Sequence, residues 1–285
     1  MNRIYYENPN LKYKIGRIIG LGGTGKVYRC RCFISKKIFA VKIMTESDTN
    51  MKEIEIWNKI PKHKNILELI EVFIWENCIF AIMELMEYSL TAIIPSKDRH
   101  ISLLSPSMIL DICYQLIEAV KFLHDNNISH CDIKSDNILF DTNGVLKLAD
   151  FGVSTENNEI HKNAPFIGTL WWSSPNSLKI STACPMKDDV WSLAVTILEL
   201  LGIDPPFFHI KDTKQAFKYI QNITSSQMLP KLENYGDNFS CRLTGLLQKC
   251  FHIDPNERFS SDELFRLFEI LFEKKYESDY SFDMS

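Results

Sequence analysis

The rhythm of apolar and polar positions changes near residue 86. From Tyr13 to about Leu85, apolar residues come in short β-branched and aromatic runs: "YKIGRIIG", "GKVYRCRCF", "KIFAVKIM", "LELIEVFIW" and "CIFAIMEL". Such runs predict strands, and glycines cluster after the first of them. One stretch breaks the pattern. In "NMKEIEIWNKI", Met51, Ile54, Trp57 (or Ile56) and Ile60 recur near helical spacing, and Pro61 stops the helix. An antiparallel sheet carrying a single helix is expected.

From about Tyr88 the spacing is helical. Ser105-Pro106 supplies an N-cap and a first-turn proline for "SMILDICYQLIEAVKFLHDN". "KDDVWSLAVTILELL" reads as a buried helix, and "SSDELFRLFEILFEKK" opens with a capping box from Ser260 to Glu263. Between Asn126 and Pro185 lie loop signals and two short strands, "NILF" and "VLKLA". The fold class is therefore α+β, in two lobes: a β-rich lobe over 13–85 and an α-rich lobe over 86–272. Residues 1–12 read as an extension and 273–285 as a frayed polar tail.

Composition narrows the class. Apolar residues make up 45% and charged residues 24% of the 285, ordinary values for a soluble chain with a substantial core. The net charge of -4 gives no global field for nucleic acid or anionic membrane, and short basic runs such as "KKI" read as solvated surface. The eight cysteines show no C-x-x-C pair and no metal-ligand spacing, so reduced thiols fit as well as bridges. "MNRIYYENPNLKY" has no apolar core of a signal peptide, and "DVWSLAVTILELLGI" falls short of a membrane span. An intracellular, cytoplasmic protein is expected.

Four motifs carry chemistry. "GLGGTGKV" places glycines at 20, 22 and 25 between two strands. This could be a hairpin turn or a dinucleotide fingerprint, but the fingerprint needs a helix afterwards, and "KVYRCRC" continues as strand. A glycine-rich strand–loop–strand can instead fold over a polyphosphate, because backbone N–H groups approach closely where no Cβ intrudes. Lys42 ends the strand "FAVK", and Glu53 follows on the helix, where a buried pair would hold the ammonium against nucleotide phosphates. "HCDIKSDN" holds Asp132, Lys134 and Asn137, and "DFG" with Asp150 follows the two short strands.

In this order, the motifs resemble those of the eukaryotic protein kinases over about Tyr13 to Phe272. "GTLWWSSP", "DDVWSLAV" and "DPNERFSSDEL" extend the resemblance, and Lys134 with Thr169 is the pattern of Ser/Thr-directed members, most like the sterile-twenty group. The hinge "MELMEYSL" lacks the paired glycines common in that group. The resemblance implies a bilobal kinase fold, ATP and Mg²⁺ as cofactors, and a protein substrate. It implies that Asp132 orients the substrate hydroxyl, that Lys134 balances charge on the γ-phosphate, and that Asn137 and Asp150 ligate Mg²⁺. Lys42 and Glu53 would form the phosphate-holding pair. ATP would lie under Ile19, Gly20, Leu21, Gly22, Gly23, Thr24, Gly25, Lys26 and Val27, against Ala40, Met83 and Leu139, with its adenine edge on the backbone of Glu84 and Met86.

Three positions depart from the pattern. Cys131 replaces the arginine that clamps an activation-loop phosphate, which implies an enzyme needing no such phosphate, or one gated by a protein partner. Phosphates on Ser154 or Thr155 would have only His161 and Lys162 to meet. A thiol there is either a redox sensor or buried and inert. Asn176 stands where the family has a glutamate that pairs with Arg258, so Arg258 is expected to turn to the Asn176 carbonyl oxygen, other carbonyls or water. Ala194 replaces a helix glycine. None of these touches ATP, metal or the transferred group. The rival readings are a pseudokinase scaffold and a small-molecule phosphotransferase. The complete Lys42, Glu53, Asp132, Asn137, Asp150 set argues against the first, and the segment at 168–175 against the second.

Overall fold

The computed structural model describes residues 4–22, 25–94, 104–156, 168–179, 183–229 and 237–272. In chain order the elements begin with β1 (Ile4–Tyr5), β2 (Tyr13–Leu21), β3 (Lys26–Cys32), β4 (Ile38–Thr45) and α1 (Asp48–Lys59). Next come β5 (Leu69–Trp75), β6 (Cys78–Met83), β7 (Tyr88–Ser89), α2 (Pro106–Asp125) and β8 (Ile128–Ser129). Then follow β9 (Ile138–Phe140), β10 (Leu146–Leu148), β11 (Thr155–Glu156) and α3 (Pro185–Leu200). The last helices are α4 (Thr213–Gln221), α5 (Ser225–Met228), α6 (Asp237–Cys250) and α7 (Ser261–Phe272).

These elements form two compact units. The first joins residues up to Leu90 with Asn137–Ser154, and the second joins Thr91–Asp136 with Thr155 onward. The change of rhythm near Met86 thus falls close to the first crossing, while the β9–β10 hairpin, late in sequence, belongs with the β-rich unit.

In the first unit a six-stranded sheet runs β1-β5-β6-β4-β3-β2, antiparallel except for β1, which lies parallel on β5. The β1 strand draws part of the extension 1–12 into the sheet, with Ile4 beside Val72 and Tyr5 stacked on Phe73 at 5.2 Å. Ser47 caps α1 by accepting from the Asn50 N–H. The helix ends at Ile60, whose extended backbone is what a residue before Pro61 prefers. It buries Ile54, Ile56 and Trp57, and the Trp57 Nε1–H donates to the Leu67 carbonyl at 2.8 Å.

In the second unit, Ser105 caps α2 through the Met108 N–H. Ser260 and Glu263 form the reciprocal capping box of α7 at 2.7 and 3.2 Å. The α3 helix is buried nearly all round, from Val190 to Leu200, as its continuous apolar sequence demands. Each large side chain sunk this way contributes about 1.5–3 kcal/mol. Ala194 is fully buried in α3.

Candidate active site

The first unit assembles a charge network from three distant stretches of chain. Lys42 on β4 donates from Nζ to Glu53 Oε1 of α1 at 2.7 Å and to Asp150 Oδ1 at 3.1 Å. Burial disfavours the ammonium, but the Asp150 and Glu53 carboxylates outweigh it and hold the Lys42 pKa above its ordinary value. Burial in turn pushes Glu53 up against the pull of Lys42. Its second oxygen, Oε2, is buried without a hydrogen-bond partner among the described residues. A Cβ at Gly152 would lie 3.1 Å from that oxygen and 3.4 Å from Asp150 Oδ1, so only glycine leaves the space open.

Asp150 has a φ of 67°, a conformation that costs an aspartate about 1 kcal/mol or more and that gathers at functional sites. Its side chain is 43% exposed, while Phe151 is buried against Trp57 at 5.8 Å. The apolar body thus anchors the turn and leaves the carboxylate partly exposed beside Lys42. Asn137, the residue just before β9, accepts at its backbone carbonyl from the Ala149 N–H at 2.9 Å. Oxygen donors such as the Asp150 carboxylate and the Asn137 amide suit Mg²⁺, which takes one or two protein ligands and completes its shell with water and phosphate. Among the described residues no group of three or more His, Cys, Asp or Glu is placed to hold a metal ion.

The remaining ATP candidates lie on the same unit. Val27 pairs with Lys42 across β3 and β4, and Ala40 pairs with Met83 across β4 and β6. Gly20 faces Val27, and Leu21 faces Lys26. The turn is closed by the Gly22 N–H donating to the Gly25 carbonyl at 2.9 Å, while Gly23 and Thr24 lie outside the described residues. Ile19 is exposed, and Leu139 is half-buried on β9. The Glu84 side chain is committed elsewhere, accepting from the Glu68 N–H and pairing with Lys147 at 3.1 Å. The backbone N–H of Met86 has no partner among the described residues, which leaves a donor for a ligand edge.

The second unit holds a closed triangle. Thr169 Oγ1 donates to Asp132 Oδ1 at 2.7 Å, and Lys134 Nζ donates to Asp132 Oδ2 at 2.7 Å and to Thr169 Oγ1 at 2.6 Å. A hydroxyl is thus presented to Asp132 with an ammonium beside its oxygen. The loop is shaped from beneath by Asp189 of α3, a residue whose role the sequence reading did not assign. Its carboxylate accepts from the His130 N–H at 2.7 Å and the Cys131 N–H at 2.8 Å, and meets His124 Nε2 at 2.9 Å. His130 Nδ1 accepts from the Asp132 N–H at 3.2 Å.

Gly168 has a φ of +89°, and a Cβ there would lie 2.3 Å from the Cys131 carbonyl oxygen. No other residue fits between the loop and the segment that follows. Cys131 itself adopts a φ of 66°. Burial and the carboxylates of Asp189, Asp188 and Asp132 raise its thiol well above the ordinary range, which disfavours the reactive thiolate.

The departure at Asn176 is answered by Asp188, which sequence reasoning also missed. Arg258, 1% exposed, donates from Nη2 to Asn176 Oδ1 at 2.7 Å and from Nη1 to Asp188 Oδ1 at 3.0 Å. The carbonyls of His252 and Lys187 take further guanidinium protons, and the plane lies over Trp191 at 5.2 Å. The expected contacts to Asn176 and carbonyls are present, and the anion sits at 188 instead of 176. Glu199 is a third residue without a role in the sequence reading. It accepts from Trp172 Nε1 at 2.8 Å and from Ser135 Oγ at 3.2 Å, tying the 168–175 segment to the loop. Burial pushes it up to about 7, against the donors Trp172 and Ser135 and with help from Asp136 and Asp204.

Residues 13–267 match the family model of the protein kinase domain. The chain belongs to the protein kinase family. Its relatives include serine/threonine-protein kinase STE20 of Candida glabrata, 33% identical over 264 residues that make up 90% of this chain and 27% of that protein. STE20 of Saccharomyces cerevisiae is 31% identical over the same shares. MAP3K epsilon protein kinase 1 of Brassica napus is 31% identical over 87% of this chain and 19% of that protein. This kinase domain thus spans about a quarter or less of the length of these curated relatives.

Proposed function

We propose that this chain is an active serine/threonine-protein kinase that transfers the γ-phosphoryl group of ATP to a hydroxyl of a protein substrate, and that it does so without activation-loop phosphorylation. The observation that carries the reading is the Asp132–Lys134–Thr169 triangle. Asp132 would take up the hydroxyl proton, and Lys134 would stabilise charge on the transferred group. Lys42, set by Glu53, would hold the nucleotide phosphates, and Asp150 with Asn137 would hold Mg²⁺. Bound Mg²⁺ supplies neutralisation of phosphate charge, and the protein's share is positioning. Thr169 and Lys134 support serine and threonine over tyrosine as acceptors.

Independence from loop phosphorylation has separate support. Between Asp150 and Gly168 the sequence offers two hydroxyl side chains, Ser154 and Thr155. Both are buried, and Thr155 pairs with Ser129 in a short sheet. Cys131 brings no cation to meet a phosphate, and His161 and Lys162 lie outside the described residues. We also infer an intracellular setting, supported by eight free cysteines. No described helix is long and apolar enough to cross a membrane.

The test is transfer of labelled γ-phosphate from Mg·ATP to a mixed basic-protein substrate, with phosphatase-treated chain beside Asp132→Asn. Label on seryl or threonyl residues, lost in the variant, is expected. Equal background in both, with nucleotide still bound, would overturn the reading in favour of a scaffold.

A further inference from the structure

The net charge of -4 conceals a segregation that strand pairing makes visible. From Asn8 to Thr45 the chain has no Asp or Glu, yet it carries Lys12, Lys14, Arg17, Lys26, Arg29, Arg31, Lys36, Lys37 and Lys42. Lys12 pairs with Glu71, and Lys42 with Glu53 and Asp150. The others are exposed and form no ion pair among the described residues.

Five of them gather at one end of the sheet. Lys14 and Arg31 stand directly opposite one another on β2 and β3, an arrangement of like charges that disfavours pairing. Arg29, two residues along β3, shares that face, and Lys36 and Lys37 close the turn into β4. The turn is tight: the Lys36 N–H donates to the Cys32 carbonyl, and the Cys32 N–H to that of Lys37. At its tip project Phe33 and Ile34, 46% and 81% exposed. The Phe33 N–H donates to the Lys12 carbonyl, which brings Leu11, 76% exposed, alongside. This end of the β2–β3 hairpin is opposite the glycine turn.

We propose that this face docks on an anionic membrane surface, with Phe33 and Ile34 entering the headgroup layer and Lys14, Arg29, Arg31, Lys36 and Lys37 held over anionic lipid. Clusters of four to eight Lys or Arg have this affinity. The apolar residues favour a bilayer over an acidic protein, because they sit on a projecting turn tip. A soft interface accepts such a wedge, whereas a protein would need a matching cavity.

The experiment is co-sedimentation of the full chain with vesicles of phosphatidylcholine, alone or with one third phosphatidylserine, at low and high salt. Binding to the anionic vesicles alone, weakened by salt, is expected. Reversing two charges in Lys36→Glu/Lys37→Glu should weaken it at least about thirtyfold, and Ile34→Ser several-fold. Both variants should keep the parent's melting temperature and its phosphotransfer to a soluble substrate. Vesicle binding is read without activity, so failure of the kinase reading would leave this test intact. No binding, equal binding to neutral vesicles, or indifference to the charge reversal would overturn the proposal. So would a glutamate-rich peptide that binds through Lys36 and Lys37 when vesicles do not, which would assign the face to an acidic protein.

Discussion

The two units solve the problem of holding reactive groups in different ways. In the first, Lys42, Glu53 and Asp150 arrive from a strand, a helix and a turn, and orient one another by charge within a buried setting. In the second, Asp132 and Lys134 lie in one loop, and a carboxylate that touches neither of them, Asp189, fixes the loop through its backbone N–H groups. The first arrangement depends on the number of charges, the second on backbone orientation. Substitutions in the first should therefore act through charge. In the second, residues remote from the reacting groups should matter nearly as much as those that touch them.

The largest effects test that contrast directly. Lys42→Met and Asp132→Asn should each lower phosphotransfer about a thousandfold. They should differ in nucleotide affinity, which the first lowers and the second spares. Titration with a fluorescent nucleotide separates them. Equal loss of affinity in both would erase the division of labour between the units.

Next comes the buried guanidinium. Asp188→Asn should cost about 3–5 kcal/mol of stability, because Arg258 would then be buried without a counter-charge. Adding Asn176→Glu should recover much of that loss, since Asn176 Oδ1 already accepts from Nη2. Chemical denaturation of the single and double variants measures both. No recovery would mean that Asp188 acts through its other donors, Ser174 and the Cys184 N–H.

Glu199 offers a smaller effect with a defined sign. Its folded pKa of about 7 lies above the ordinary carboxylate value, so the folded state holds a proton that the unfolded chain gives up. Its contribution to stability is fully present below about pH 4.5 and declines as pH rises through 7, by about 3 kcal/mol in all. Glu199→Gln should flatten melting temperature against pH across that window and be more stable than the parent at pH 8. A parallel decline in the variant would locate the titration elsewhere.

Much of this was legible in sequence, for a physical reason. Strands and helices such as β4, β6, α2 and α7 announce themselves because their apolar period matches the face they bury. Lys42, Glu53, Asp132, Asn137 and Asp150 stand out because each residue type is required at its place in an ordered set. Asp188, Asp189 and Glu199 were not legible as site residues. In "KDDVWSLAVTILELL" they read as the polar positions of a helix, and only tertiary packing shows which donors they meet. The D-x-W-S pattern was there to be used, but nothing local ties Asp189 to the backbone at His130 and Cys131. The β1 strand was invisible for a related reason: two residues carry no period, and the edge of β5 supplies the pairing.

The smallest effect concerns the residue that departs most visibly from the family. Cys131 stands in the left-handed region at a φ of 66°, with its N–H bound by Asp189 and its carbonyl packed against Gly168. A cysteine in that region costs about 1 kcal/mol or more that glycine would not. The glycine gives back part of this by loosening the unfolded chain. Cys131→Gly should therefore change stability by under about 1 kcal/mol, and Cys131→Ala should behave like the parent. Both should keep phosphotransfer within about twofold, because the loop's orientation comes from Asp189 and the thiol takes no part. Steady-state rates beside denaturation curves decide it. If removing the sulfur alone abolished transfer while the fold persisted, the thiol would have a role in the reaction, and orientation by Asp189 would not suffice to set the loop.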